Sequence, residues 1–339
     1  MHRSEIAIDL GALRRNARRL RQVLGKSELW AVVKADGYGH GAVDVSRAVL
    51  DEGAGALCVA TVAEGLELRE EFSTARILVM GPTLEADVAA ARDARLELTV
   101  TDGELYEGVP LHLKLDTGMG RWGLSELPQV PVGVVGLMTH LATADSDPEF
   151  AREQLSRFEE ATRPFAHLVR HAANSAATLR IPESRLAAAR CGIALYGLSS
   201  FGADPRDDGL EPVLRWASHL AQVKRLAPGE STGYGRRFVA ETETWIGIVP
   251  VGYADGFRRD MTGTEVMVEG ERRRVVGVVS MDALAVELPG QLAVGTPVVL
   301  IGDGVLAEEH AATADTINYE IVCKIDSRPG RARRTVVDA

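Results

Sequence analysis

The chain has little lysine, little cysteine and no long apolar run, and each scarcity narrows what it can be. No stretch approaches the ~18 consecutive apolar residues of a membrane-spanning helix. The amino terminus, Met1-His2-Arg3-Ser4-Glu5, leads into an amphipathic pattern without the apolar core of a secretory signal. Cys58, Cys191 and Cys323 are odd in number and too far apart for a disulfide framework or a zinc spacing. Reduced thiols in the cytoplasm are expected, and no metal site. Cations are in the minority: 48 acidic against 38 basic residues give a net charge of −10. That disfavours nucleic acid and anionic membranes as partners. Of the basic residues only five are lysine (Lys26, Lys34, Lys114, Lys224 and Lys324). Each lysine therefore invites a test for amine chemistry, which arginine cannot perform because it keeps its proton.

What is present is ordinary for a globular protein, with 46% hydrophobic and 25% charged residues over 339 positions, more than one typical domain. The first two-thirds alternates short apolar runs with helical stretches. Strand-like runs start near Trp30, Ala56, Ile77, Leu96, Leu111, Val132, Leu168 and Ala188. Segments such as AVDVSRAVLDEG and REQLSRFEEATRPF between them place apolar residues at helical spacing. Eight continuously apolar strands separated by helices fit a parallel sheet buried on both faces. A (β/α)8 barrel over residues 1–217 suits the count best, with an open doubly wound sheet as the alternative. From about Ala217 alternation and turn signals take over, predicting a mostly antiparallel β domain over 218–339. Within it a hairpin is expected around Glu269-Gly270-Glu271, and a helix around His310–Asn318.

Three stretches carry chemistry. In Ala31-Val32-Val33-Lys34-Ala35-Asp36-Gly37-Tyr38-Gly39-His40-Gly41 a lysine ends an apolar strand before a Gly-rich loop, at the carboxyl mouth of a barrel strand where barrel sites lie. Desolvation there favours the neutral amine that covalent amine chemistry needs; the plain alternative is a lysine snorkelling to solvent. In His112-Leu113-Lys114-Leu115-Asp116 the alternation puts His112 and Lys114 on one face, turned toward a barrel interior that is usually aliphatic. A structural ion pair of Lys114 with a carboxylate is the alternative. Finally, Thr139-His140, His171-Ala172-Ala173-Asn174-Ser175 and Arg190-Cys191-Gly192-Ile193 follow the sixth, seventh and eighth strands. The loops after strands seven and eight commonly hold phosphate in barrels, although Ser175 alone could be a helix cap and His140 or His171 a core histidine. A lysine together with a phosphate cradle suggests pyridoxal phosphate.

The segments AVVKADGYGHG, HLKLDTGMGRWG, THLATAD, HAANSAA, RCGIALYG, STGYGRRF, VGYADGF, SMD and TINYEI, in this order, resemble the alanine racemase family from about Ser4 to Cys323. The resemblance implies a pyridoxal 5'-phosphate barrel followed by a β domain that takes the first strand (Glu5–Ile8), in a head-to-tail homodimer with shared active sites. It also implies a cytoplasmic isomerase that acts on a small amino acid and supplies D-alanine for peptidoglycan. Matched position by position, Lys34 is the lysine that forms an imine with the cofactor and one of two acid–base groups, and Tyr234 is the other. Tyr38, Ser175, Gly192, Ile193 and Tyr319 match the phosphate cradle, His140 the residue against the cofactor ring, and Arg190 the one facing its pyridine nitrogen. Arg121 matches a residue near the substrate carboxylate, while Met281 and Tyr253 match groups lining the substrate site from the partner subunit. Lys114 matches a lysine often found carbamylated. The chain departs from the family at Ala283, where many relatives carry glutamine, and at Arg328-Pro329-Gly330-Arg331, where an Arg-Val-Pro-Arg-like run is usual.

Lysine and tyrosine have unperturbed pKa values near ~10, so use at neutral pH requires the site to lower them. A racemase of another small amino acid such as serine would share this scaffold, since a hydroxyl or methylene is worth only ~1–3 kcal/mol in a pocket. A non-enzymatic pyridoxal-phosphate-binding protein would need no second base at Tyr234. A related barrel-plus-β decarboxylase is disfavoured by Arg190, which stands where a carboxylate partner of the pyridine nitrogen would be expected.

Overall fold

The computed structural model describes residues 2–103, 105–127 and 133–338. They fall into two compact units, one of Leu13–Phe201 with Asp208–Glu211, the other of Met1–Ala12, Gly202–Asp207 and Pro212–Ala339.

The chain enters the second of these through β1 (Glu5–Asp9). The first unit is a closed barrel of β2 (Glu28–Val32), β3 (Ala56–Val59), β4 (Ile77–Val79), β5 (Glu97–Val100), β6 (Leu111–Lys114), β7 (Val134–Met138), β8 (Val169–His171) and β9 (Ala188–Cys191). All neighbours are parallel, and β2 closes on β9 with Trp30 opposite Arg190. Runs such as ALCV and ILV are buried at every position, because a parallel barrel strand has the interior on one face and helices on the other. Helices Ala42–Asp51, Val62–Glu71, Glu85–Asp93, Pro148–Thr162 and Ser175–Arg180 cover the outside. The run expected from Val132 begins as a strand at Val134; Val132 itself lies outside the described residues. The alternation of strand and helix is broken after β5 and β6. Residues 101–103, 105–110 and 115–127 form turns and bends there instead of helices, in line with five glycines and a proline across those stretches.

The second unit is a nine-stranded sheet. Its strands are β10 (Leu214–His219), β11 (Gln222–Leu226), β14 (Thr244–Val249), β15 (Glu265–Val268), β16 (Glu271–Val276), β17 (Leu284–Leu288), β18 (Pro297–Ile301) and β19 (Arg333–Val337), together with β1. A short ribbon of β12 (Ser231–Thr232) and β13 (Phe238–Val239) stands apart. Every sheet pairing is antiparallel except that of β1 with β19. The change of texture near Ala217 trails the structural change by a few residues, since β10 already pairs with β1 from Leu214. The β15–β16 hairpin turns on Glu269 and Gly270, both at positive φ. The helix expected around His310–Asn318 is two helices, Ala307–Thr313 and Asn318–Cys323. The chain breaks between them, where Asp315 adopts φ +49°. Among the described residues no helix is long and apolar enough to cross a membrane.

Candidate active site

Lys34 sits two residues past β2, and the backbone after it coils the wrong way. Ala35 (φ 52°, ψ 51°), Asp36 (50°, 49°) and Gly37 (61°, 43°) are left-handed, and Tyr38 follows at φ 55°. Left-handed helix costs a non-glycine residue roughly 1–2 kcal/mol, so the turn persists only because its surroundings determine it. Its amide groups are used: Gly37 N donates to Val33 O (2.9 Å), Ala35 N to Glu64 Oε1 (2.7 Å) and Ala42 N to Asp36 Oδ1 (2.7 Å). The result leaves Lys34 half-buried at the strand end and turns Tyr38 inward, where it is 7% exposed and packs on Tyr196 with ring centroids 5.0 Å apart.

Tyr38 meets the loop after β9. A Cβ at Gly192 would lie 2.6 Å from the Tyr38 hydroxyl, so only glycine allows this approach. Ser175, the first residue of its helix, accepts hydrogen bonds at Oγ from Gly192 N (3.0 Å) and Ala194 N (3.4 Å), which leaves its own O–H as a donor. Ile193 is buried beside them. Tyr38, Ser175, Gly192 and Ile193 are thus gathered at the carboxyl ends of β8 and β9.

Arg190, on β9, is 3% exposed. Nη2 donates to Thr139 O (2.7 Å) and Ala172 O (3.2 Å) and approaches His140 Nδ1 (3.4 Å), while Nη1 donates to His171 O (3.0 Å) and His171 Nδ1 (2.7 Å). Burial lowers its pKa to about 10, which still leaves it cationic at neutral pH. Burial, then the charge of Arg190, holds His140 well below the usual histidine range, so it is a neutral ring. Lys114, 3% exposed, is pulled down to about 8 by burial and by Arg121 and Arg190. Its ammonium lies 5.7 Å from the centroid of Trp122, on whose ring the exposed Arg121 also rests at 5.1 Å. Burial raises the Cys58 thiol to about 12 and Cys191 to about 11, so both are unreactive.

The β unit carries the remaining sequence-selected residues. Tyr234 is 70% exposed at a turn entered through Gly233, where a Cβ would stand 3.0 Å from Val278 N. Tyr253 N donates to Ser280 O (3.0 Å) and Ala254 N to Met281 O (3.0 Å), so the exposed Tyr253 and Met281 share one zipped pair of loops. Behind them buried Asp255 and exposed Asp282 bind Arg331 at 3.4 and 2.6 Å. Tyr319 is half-buried in the last helix.

Sequence reasoning missed Arg76 and Glu97. Arg76 Nε donates to Glu97 Oε1 (2.5 Å), and Glu97 Oε2 accepts from His112 Nε2 (2.8 Å). His112 Nδ1 lies 2.9 Å from His171 Nε2. Trp30 covers the line, its ring 4.5 Å from His171 and 4.6 Å from the Arg76 guanidinium. The available signal was an acidic residue, Glu97, inside the mostly apolar run LELTV.

Fold and site define a class: an enzyme built on a parallel barrel, with an amine, two arginines and small-residue loops at the carboxyl ends of its strands, joined to an antiparallel β domain. The family models for the alanine racemase N-terminal and C-terminal domains match residues 8–200 and 213–333, and the chain belongs to the alanine racemase family. It is similar to the alanine racemase of Geobacillus stearothermophilus, at 39% identity over 96% of this chain and 92% of that one. It is similar also to that of Symbiobacterium thermophilum, at 40% identity over 96% and 95%. The crystal structure of alanine racemase from a D-cycloserine-producing Streptomyces lavendulae superposes with a TM-score of 0.92 at 34% identity, covering 100% of this chain and 98% of that one. The Bacillus anthracis enzyme with bound L-Ala-P gives 0.89 at 34%, covering 99% and 95%. The chain is accordingly an isomerase, a pyridoxal-phosphate-dependent racemase. Its barrel fits that cofactor: a cradle that a single Cβ would fill, a serine hydroxyl free to donate, and a cation with no proton-accepting atom.

Proposed function

We propose that the protein interconverts L-alanine and D-alanine, with Lys34 and Tyr234 as the two acid–base groups. Arg190 carries this reading: a donor-only cation buried at the end of β9, in a chain whose curated relatives are alanine racemases. The bound cofactor withdraws electrons from the substrate's α-carbon and so acidifies its hydrogen. The chain's residues then have definite tasks. Tyr38, Ser175, the Gly192 and Ile193 amides and Tyr319 hold the phosphate. His140, neutral, packs against the ring. Arg190 would face the ring nitrogen of the bound cofactor and, having only donors, would leave that nitrogen unprotonated, which disfavours diversion into transamination. Lys34 holds the cofactor and takes or returns the α-proton on one face; Tyr234 does so on the other.

Lys114 is carbamylated. An amine with a pKa of about 8 is neutral often enough to add carbon dioxide, and the product turns a buried cation near Arg121 into an anion that Arg121 can bind. Arg121 also orients the substrate carboxylate, and Met281 and Tyr253 line the substrate site from the partner subunit of a homodimer. Lys34 and Tyr234 lie in different compact units, and a head-to-tail two-fold dimer combines them from different subunits. The product D-alanine would serve peptidoglycan synthesis in the cytoplasm. The test is purified protein with L-alanine, following D-alanine by chiral chromatography; no D-alanine from cofactor-loaded protein would reject the proposal.

A further inference from the structure

The line from Arg76 to Arg190 crosses the barrel interior through side chains on five strands or their edges, with His112 and His171 fully buried and Arg190 nearly so. Its chemistry permits a single pattern of protons. Arg190 has only donors, so at 2.7 Å its Nη1–H requires an unprotonated Nδ1 on His171. If His171 is neutral its proton is then on Nε2, which donates across 2.9 Å to His112 Nδ1. His112 in turn must carry its proton on Nε2 and donates to the Glu97 carboxylate at 2.8 Å, whose other oxygen is bound by Arg76. Burial lowers both ring pKa values, with Arg190 adding to the effect at His171, which keeps the two imidazoles neutral. Burial works against the Glu97 carboxylate, but hydrogen bonds from His112 and Arg76 outweigh it and hold its pKa below the usual value.

We infer that Glu97, His112 and His171 are positioning residues for Arg190: a one-way chain of hydrogen bonds that fixes both histidine tautomers, pins the guanidinium and links its charge to a carboxylate at the far side of the barrel. The inference rests on Arg190 facing the cofactor's ring nitrogen. Its consequence is electrostatic. Two polarised imidazoles convey part of the Glu97 charge to Arg190 and temper the cation without placing an acid near the cofactor. Because the carboxylate reaches Arg190 only through two neutral rings, it offers the ring nitrogen no proton. Aliphatic residues of equal volume would fill a barrel equally well. Here the interior holds a polar chain in which each member has a partner, the arrangement that sets a single geometry.

The tautomers can be read directly by nitrogen-15 NMR of histidine-labelled, cofactor-loaded protein, with His112→Gln and His171→Gln used for assignment. Both rings should show an unprotonated Nδ1 and a protonated Nε2. A protonated Nδ1 on His171, or an imidazolium at either position near neutral pH, would overturn the inference whatever the racemase activity. The second arm is Glu97→Gln, which keeps an acceptor for His112 but removes the charge. It should lower kcat for racemisation about tenfold while leaving KM for alanine within about twofold, because Glu97 does not reach substrate. The cofactor's absorption band should shift in the same variant, since the field at Arg190 changes. Unchanged kcat and unchanged spectrum would refute the electrostatic link. If the variant fails to fold, the tautomers of the unaltered protein still decide the matter. Absence of any alanine turnover, with the tautomers as expected, would reject the proposed reaction and leave the hydrogen-bond chain standing.

Discussion

The hydroxyl of Tyr38 lies where a Cβ on Gly192 would come within 2.6 Å of it, and the next ring carbon would be 2.9 Å away. Tyr38 cannot retreat, because its ring is stacked on Tyr196 and its backbone is locked in the left-handed turn after Lys34. Gly192→Ala therefore displaces the tyrosine from the proposed phosphate cradle. Overpacking of this kind costs about 1–3 kcal/mol, so cofactor Kd should rise about 5- to 150-fold. Absorbance titration of cofactor-stripped protein measures it, and an unchanged Kd would remove Tyr38 and Gly192 from the cradle.

Carbamylation of Lys114 should follow the neutral fraction of its amine. That fraction grows as pH rises through about 8, well below the range of an ordinary lysine. With carbon-13 bicarbonate, a carbamate signal should appear between about pH 7 and 9 and be missing from Lys114→Met. A signal that persists in the variant would place the modification elsewhere, and none in the parent would leave Lys114 as a plain amine.

Replacing Arg190 by Glu should slow racemisation and raise transamination, because a carboxylate beside the ring nitrogen would hold a proton there. Product partition between D-alanine and pyruvate reports it. An unaltered ratio in a variant that binds cofactor would show that Arg190 does not govern reaction choice.

Acid should destabilise the fold well above the carboxylate range. His112, His140, His171 and His310 all have pKa values lowered, burial being the largest cause at each. Below about pH 6.5 the unfolded chain takes up protons that the folded chain refuses, so stability falls as pH drops through 6.5 toward the lowered values. Each such histidine contributes up to about 1.4 kcal/mol per pH unit. The apparent Tm should fall markedly from pH 7.5 to 5.5, and a flat Tm would contradict the buried neutral histidines.

The barrel strands were legible because burial on both faces writes an unbroken apolar run, as in Ala56–Val59. The hairpin was legible because Glu269-Gly270 is a strong turn signal. The proposed site positions were legible as motifs, and Lys34 and Lys114 stood out because other lysines are so few. The left-handed turn was not, since Ala35 and Tyr38 do not favour that conformation; the Glu64 carboxylate, from a helix distant in sequence, holds Ala35 N, and the neighbouring Val33 carbonyl holds Gly37 N. Nor was the Arg76–Glu97–His112–His171–Arg190 line. Its members are scattered over 115 positions, and barrel closure alone brings β5, β6, β8 and β9 into registers where those side chains meet. The helix break at Asp315 escaped because no Gly or Pro marks it.

Co-expression of Lys34→Ala with Tyr234→Ala tests most directly the claim that two groups from different subunits move the α-proton. Each variant alone should be nearly inactive. In a heterodimer one site carries both lesions and the other none; random pairing makes half the dimers mixed, so about a quarter of the unaltered activity should return. Activity of the mixture no higher than that of either variant, with heterodimers shown to be present, would contradict it.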